Sequence, residues 1–213
     1  MTRGSGMPGR DCPRCPRLVS FREHWRKLEP DWFNAPVDSF GPADARFLIV
    51  GLAPGLRGAN RTGRPFTGDY AGDLLYATLM KFGFARGTYA ASPDDGLELI
   101  DCRISNAVRC VPPENKPTPQ EITTCRDFLN ATLKEMSKLT MVVALGRIAH
   151  ETFVSANGAR RAQFPFGHGK EHTIGSLTLI DSYHCSRYNT NTGVLTERMF
   201  HDVFALVRKK LDG

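Results

Sequence analysis

Apolar residues in this chain come in two kinds of run, and the two kinds alternate. Short, almost unbroken runs read as strands over Arg46–Gly51, Ile100–Val108, Met141–Leu145 and Leu177–Ser182. Strands covered on both faces carry this continuous hydrophobicity. Between them, apolar residues recur every three or four positions, as on a helix with one buried face. Leu75, Leu79 and Phe82 do so over Asp69–Phe82, and Gly83 suits the helix end. Ile122, Cys125, Leu129, Leu133 and Met136 do so after Thr118-Pro119-Gln120-Glu121, a capping box with proline at the first helical position. Ile148, Thr152 and Phe153 follow Gly146, and Phe200, Phe204, Val207 and Leu211 mark a last helix over Thr196–Leu211. Leu18, Phe21, Trp25 and Leu28 supply one more near the start, before Pro30 and Pro36 break the chain. Strands alternating with helices predict an α/β fold: a three-layer α/β/α sandwich around a central four-stranded parallel sheet.

A length of 213 residues suits one domain, here residues 11–213, preceded by a Gly- and Arg-rich segment, residues 1–10, expected to be mobile. Lys and Arg number 28 against 22 Asp and Glu, a net charge of +6, which permits a polyanionic partner without requiring one. No run approaches the roughly 20 apolar residues of a membrane span, and the N-terminus lacks the apolar core of a secretory signal. A cytoplasmic protein without membrane contact is expected, and in that compartment thiols stay reduced.

The cysteines are then ligands, core residues or reactive groups. Cys12 and Cys15 form a C-x2-C pair, and Cys110 and Cys125 have fourteen residues between them. Four thiolates suit a zinc ion or a [4Fe–4S] cluster, and spacing alone does not separate these from buried, unligated cysteines. Cys102, inside a strand run, reads as core.

Two loops concentrate chemistry. Gly51 to Asp69 connects the first strand to a helix and holds four further glycines, three arginines, Phe66 and one carboxylate. Asp181 to Gly193 follows the fourth strand and carries His184. Both leave the same edge of a parallel sheet, where open α/β folds place their ligands. Asp69 and His184 can therefore converge, although Asp is also a common helix N-cap and a lone His is often structural.

These motifs resemble the uracil-DNA glycosylase superfamily, and within it family 5, the type-B enzymes with an iron–sulfur cluster. Gly51-Leu52-Ala53-Pro54 is similar to the first motif, and Gly58 through Asp69 to its branch-specific extension. Ser105-Asn106-Ala107-Val108-Arg109-Cys110 looks like the strand leading to a cluster ligand. His184, Ser186, Asn189-Thr190 and Thr192-Gly193 match the second motif, with Cys185 where proline is usual.

The resemblance implies a monofunctional glycosylase, a monomer acting on DNA that contains deaminated bases: uracil, hypoxanthine and xanthine. It implies a [4Fe–4S] cluster on Cys12, Cys15, Cys110 and Cys125. It gives Asp69, His184 and Asn106 catalytic roles, and makes Gly51, Leu52, Ala53, Phe66 and Asn106 the base pocket. Leu52 and Ala53 stand where sister families carry a polar residue for the water, so Asp69 becomes the nearest carboxylate for that task. Arg57, Arg61, Arg64, Ser186, Arg187, Tyr188 and Asn189 are its DNA contacts, with Tyr188 a wedge for the vacated stack. Cys185 is expected to loosen its loop and to be open to oxidation. The alternative is a non-catalytic iron–sulfur protein that binds DNA or senses redox state on the same fold.

Overall fold

All four apolar runs are strands, and all four pair in parallel as expected. A computed structural model describes residues 6–213. Its strands are β1 (Phe47–Gly51), β2 (Ala85–Arg86), β3 (Glu98–Leu99), β4 (Cys102–Asn106), β5 (Met141–Leu145), β6 (Glu171–Ile174) and β7 (Leu177–Ser182). Its helices are α1 (Pro16–Leu28), α2 (Ala59–Thr62), α3 (Tyr70–Lys81), α4 (Pro119–Glu135), α5 (Arg147–Ala156), α6 (Arg187–Asn191) and α7 (Glu197–Asp212). The sheet order is β4-β1-β5-β7-β6. The first four are parallel, and β6 adds a fifth, antiparallel edge strand that no apolar run announced. Only Ile174 of β6 is buried, so the strand lacks the hydrophobic signature. β2 and β3 form a separate antiparallel pair.

Alternate residues of β1 divide the core into two layers. Phe47 and Ile49 pack with Leu75 and Leu79 of α3 and Phe200 and Phe204 of α7. Leu48 and Val50 face Leu129 of α4 and Phe153 of α5. Four helices begin at side-chain caps: Asp69 on α3, the Thr118–Glu121 capping box on α4, Ser186 on α6 and Thr196 on α7. Each cap satisfies amide donors that the first helical turn leaves without partners.

The N-terminal helix departs from its apolar spacing. Leu18 and Arg22 are its buried residues, while Leu28 is 57 % exposed. The first half of the segment expected to be mobile, residues 1–5, lies outside the described residues. In its second half Pro8 is buried, and Gly6 lies so close to Ala131 of α4 that no Cβ fits between them. Cys102 is fully buried in the core. Among the described residues no helix is long and apolar enough to cross a membrane.

The chain runs from β1 outward to β4 and then returns past β1 to β5. That reversal opens a crevice at the carboxyl ends of β1 and β5, the switch point where ligands bind in such sheets.

Candidate functional site

A cavity of about 450 Å³ occupies this crevice, and both chemistry-bearing loops line it. Leu52, Ala53, Gly55, Phe66 and Asp69 come from the first loop, and His184, Ser186 and Arg187 from the second. The pocket exists because β1 ends in glycine. A Cβ at Gly51 would lie 2.7 Å from Phe66 Cζ and would collide with Asn106 Oδ1. Asn106 closes β4 opposite Gly51, is buried, and its Oδ1 has no hydrogen-bond partner among the described residues. A buried amide oxygen without a donor carries a desolvation cost of about 1–3 kcal/mol, which a ligand donor at that spot would relieve.

Phe66 adopts φ 52°, a conformation rarely taken by side chains of its size. Its surroundings hold it there. Tyr76 Oη donates to Pro65 O at 2.6 Å, and Tyr89 Oη donates to Phe66 O at 3.4 Å. Gly72 lets α3 approach the Phe66 carbonyl more closely than any Cβ would allow. The Phe66 ring then faces His184, with centroids 6.0 Å apart and planes 28° from parallel.

Asp69 caps α3 and also lines the cavity. Oδ1 accepts the Gly72 amide at 3.1 Å as the α3 cap. The second oxygen, Oδ2, lies against Gly55 and Gly58, where any side chain would displace it. Burial pushes the Asp69 carboxyl above its ordinary value. His184 is half-buried, and desolvation pushes its pKa down to about 4, so its ring is neutral at pH 7. The sequence thus places a neutral imidazole, an aromatic face and a carboxylate around one apolar-walled cavity.

The DNA-contact assignments divide. Arg57, Arg61 and Arg187 are exposed, with the Arg187 guanidinium 5.2 Å from the Tyr70 ring centroid, and Tyr188 is 74 % exposed. Ser186 and Asn189 are half-buried and hold their own loop. Ser186 Oγ accepts the Asn189 amide at 3.4 Å as the α6 cap, and Asn189 Nδ2 donates to His184 O at 2.8 Å. Arg64 is a correction. It is 5 % exposed and donates to both Asp95 carboxylate oxygens at 2.8 Å and to Thr67 Oγ1 at 2.7 Å. The rings of Phe40, Tyr76 and Tyr89 surround it. A guanidinium so engaged is not available to a phosphate; it ties the Phe66 loop to the β2–β3 hairpin.

Cys185 is a second correction. It is fully buried, its thiol donates to Ala71 O at 3.4 Å, and burial raises its pKa. A buried, protonated thiol is a poor target for oxidation.

Cys12, Cys15, Cys110 and Cys125 surround one small pocket between α1, α4 and the end of β4. All four are free, in an apolar setting with Leu18, Val108 and Phe128. Burial pushes the Cys110 thiol up to about 12 and the Cys125 thiol up to about 11. The Arg109 amide donates to Cys125 Sγ at 3.2 Å and Arg22 Nη1 to Cys110 Sγ at 3.8 Å. Arg22, the buried charged residue of α1, thus serves this pocket.

Tyr70, Ala71 and Asn115 also line the cavity and escaped the sequence reading. Tyr70 and Ala71 simply follow the capping Asp69. Asn115 has φ 57°, which asparagine tolerates well, and its place in a proline-rich loop was the available signal.

The model of the Uracil DNA glycosylase superfamily matches residues 39–208. A type-5 uracil-DNA glycosylase of Thermus thermophilus is 44 % identical over 209 residues, 95 % of this chain and 94 % of that protein. A type-5 uracil-DNA glycosylase of Mycobacterium bovis is 41 % identical over 93 % of this chain and 77 % of its own. A type-4 uracil-DNA glycosylase of Archaeoglobus fulgidus is 36 % identical over 82 % of this chain and 74 % of its own. The match spans both cavity-forming loops and the sheet that brings them together, and the chain belongs to the uracil-DNA glycosylase superfamily.

Proposed function

We propose that this chain hydrolyses the N-glycosidic bond of uracil in DNA, leaves an abasic site, and accepts hypoxanthine and xanthine as well. The observation that carries the reading is the pairing of Phe66 and neutral His184 across one cavity with Asp69 on its wall. A base must leave the duplex to reach such a cavity, at a cost of a few kcal/mol that is smallest for mispaired bases. Phe66 offers it a stacking face. The unpaired Asn106 oxygen accepts a ring N–H of the base. Leu52 and Ala53 present no polar group that would reject a purine.

The base departs with its bonding electron pair, and negative charge grows on its ring nitrogen and carbonyl oxygens as the sugar becomes cationic. A neutral His184 stabilises that anion by donating an N–H, a fixed donor in a site from which water is displaced. Asp69, already fixed as a cap, holds the water on the sugar and offsets the positive charge. Its raised pKa also makes it a better proton acceptor than an exposed carboxylate. Arg57, Arg61 and Arg187 bind phosphates, and Tyr188 fills the gap left in the stack. One chain supplies all of these groups, so the enzyme acts as a monomer.

The four cysteines suit a [4Fe–4S] cluster. Their thiols need a strong positive partner to ionise in this apolar pocket. Four thiolates around one pocket are the donor set of such a cluster. Such a group ties α1 to α4 across about a hundred residues of sequence and takes no part in bond cleavage.

Duplexes with single uracil, hypoxanthine or xanthine lesions, incubated with protein and treated with alkali, test the reading. Alkali-labile sites are expected at each lesion, from protein that contains iron and absorbs visible light. Intact lesion strands with folded protein would overturn it.

A further inference from the structure

The backbone that carries His184 is gripped at one polar group after another. Gly146 N–H donates to Ser182 O at 2.8 Å, and Ser182 Oγ donates to Tyr183 O at 2.9 Å. Asn189 Nδ2 donates to His184 O at 2.8 Å, and the Cys185 thiol holds Ala71 O. Amides and hydroxyls keep their hydrogen-bonding character across the neutral pH range. The remaining grip differs, because Tyr183 N–H donates to Nδ1 of His168 at 3.1 Å. Nδ1 accepts only while it carries no proton. The His168 ring also stacks on Tyr183, with centroids 5.0 Å apart and planes 26° from parallel.

The loop that presents His168 is clamped by Asp181, three residues before His184. Asp181 Oδ2 accepts the Gly167 amide at 3.1 Å, and Asp181 O accepts the Gly169 amide at 2.8 Å. The Asp181 amide donates to Lys170 O at 2.9 Å. The fully buried carboxylate also takes His150 Nδ1 at 2.6 Å and His172 Nε2 at 3.2 Å, while His150 Nε2 holds Phe164 O at 2.7 Å. Residues 164–170 are therefore fixed to β7 from several sides, and His168 reaches the Tyr183 amide with little freedom.

We propose that His168 is a positioning residue for His184: its neutral ring accepts the Tyr183 amide and sets the His184 backbone, and protonation of the ring releases that hold. The proposal rests on the reading of His184 as the group that stabilises the leaving base. The charged and titratable groups facing His168 are Asp181 and Tyr183 on the β7 side and Asp202 on α7, with His150 and His172 beyond Asp181. Burial disfavours the imidazolium and outweighs the hydrogen bond to the Met199 backbone and the pull of the two carboxylates, so its pKa lies below 6.5. The holding form is the neutral one, present on the alkaline side of that titration.

The test compares wild type, H168L, H168N and H184A for base release at saturating enzyme, for half-saturation, and for rate between about pH 5 and pH 8. H168L removes the acceptor. H168N keeps an acceptor oxygen near the Nδ1 position that does not protonate in this range. H168L is expected to lose about 10- to 100-fold in rate at pH 7, with half-saturation within about twofold. H168N should recover to within about threefold and lose acid sensitivity relative to wild type. Variants that melt lower but release base at the wild-type rate per folded molecule, with an unchanged acidic limb, would overturn the proposal. If H168L does not fold, coincident acidic limbs for H168N and wild type overturn it equally. H184A as fast as wild type would remove the underlying reading instead. Slow H184A beside H168L that matches wild type would leave His184 standing and remove the positioning role alone.

Discussion

Replacing Asp95 by alanine tests whether Arg64 is a structural tie and not a phosphate contact. The two side chains are 5 % and 1 % exposed, and the guanidinium donates to both carboxylate oxygens at 2.8 Å. The hydrogen bond from Arg64 holds the Asp95 carboxyl well below the usual range. The same carboxylate accepts the Ala90 and Leu97 amides, so its loss removes the acceptor of four N–H donors. Removing one partner of a buried pair costs about 3–5 kcal/mol, because water cannot replace it. For a chain of this size each kcal/mol lowers the melting temperature by about 2–4 °C, so D95A should melt roughly 6–20 °C lower. The hairpin supplies its own control. Arg86 and Glu98 pair at 2.7 Å with 71 % and 61 % exposure, and E98A should cost under about 1 kcal/mol. Urea unfolding followed by circular dichroism, with both variants side by side, measures the difference. A D95A cost no larger than that of E98A would refute the burial argument.

Asp69→Asn should preserve the fold, since asparagine caps helices about as well as aspartate, while uracil release falls. Equal losses of folded protein and activity would leave only the cap. Arg57→Ala and Arg187→Ala should each weaken DNA binding and reduce its dependence on log salt by about one, measured by fluorescence anisotropy. Unchanged slopes would remove both arginines from the interface. His150 faces an acceptor from each ring nitrogen, Asp181 and Phe164 O, so both hydrogen bonds are complete only in its protonated form. Burial opposes that charge, but the Asp181 hydrogen bond and charge prevail and raise its pKa above 6.5. A raised folded pKa contributes stability that is complete below pH 6.5 and fades as pH rises through the folded value. The urea midpoint should therefore fall across that alkaline interval in wild type and lose this component in H150L. Parallel pH dependence in the two proteins would contradict it.

Much of the architecture was legible because it is written in local patterns. Continuous apolar runs gave β1, β4, β5 and β7, and Asp69 and Thr118 marked helix starts by their capping chemistry. The strand β6 was not legible, because Glu171, His172 and Thr173 carry no core-facing signal. Arg64 illustrates the deeper limit. In sequence it looks like Arg61, three residues earlier; only Asp95, 31 residues further on, makes one buried and leaves the other exposed. The His168–Asp181 network escaped for the same reason, since α5, the 164–170 loop and β7 meet only in the folded chain. Leu28 erred the other way: its spacing fits the helix, but no neighbour covers it.

The central claim is that Phe66 forms the face of a pocket for an extruded base. Its most direct test is single-turnover uracil release from a duplex with one uracil–guanine pair, by wild type and by F66A. Stacking on an aromatic side chain contributes about 1–3 kcal/mol, so F66A should be slower or weaker by roughly 5- to 150-fold while wild type converts the strand fully. Folded wild-type protein that releases no uracil, or F66A that matches wild type, would contradict the account.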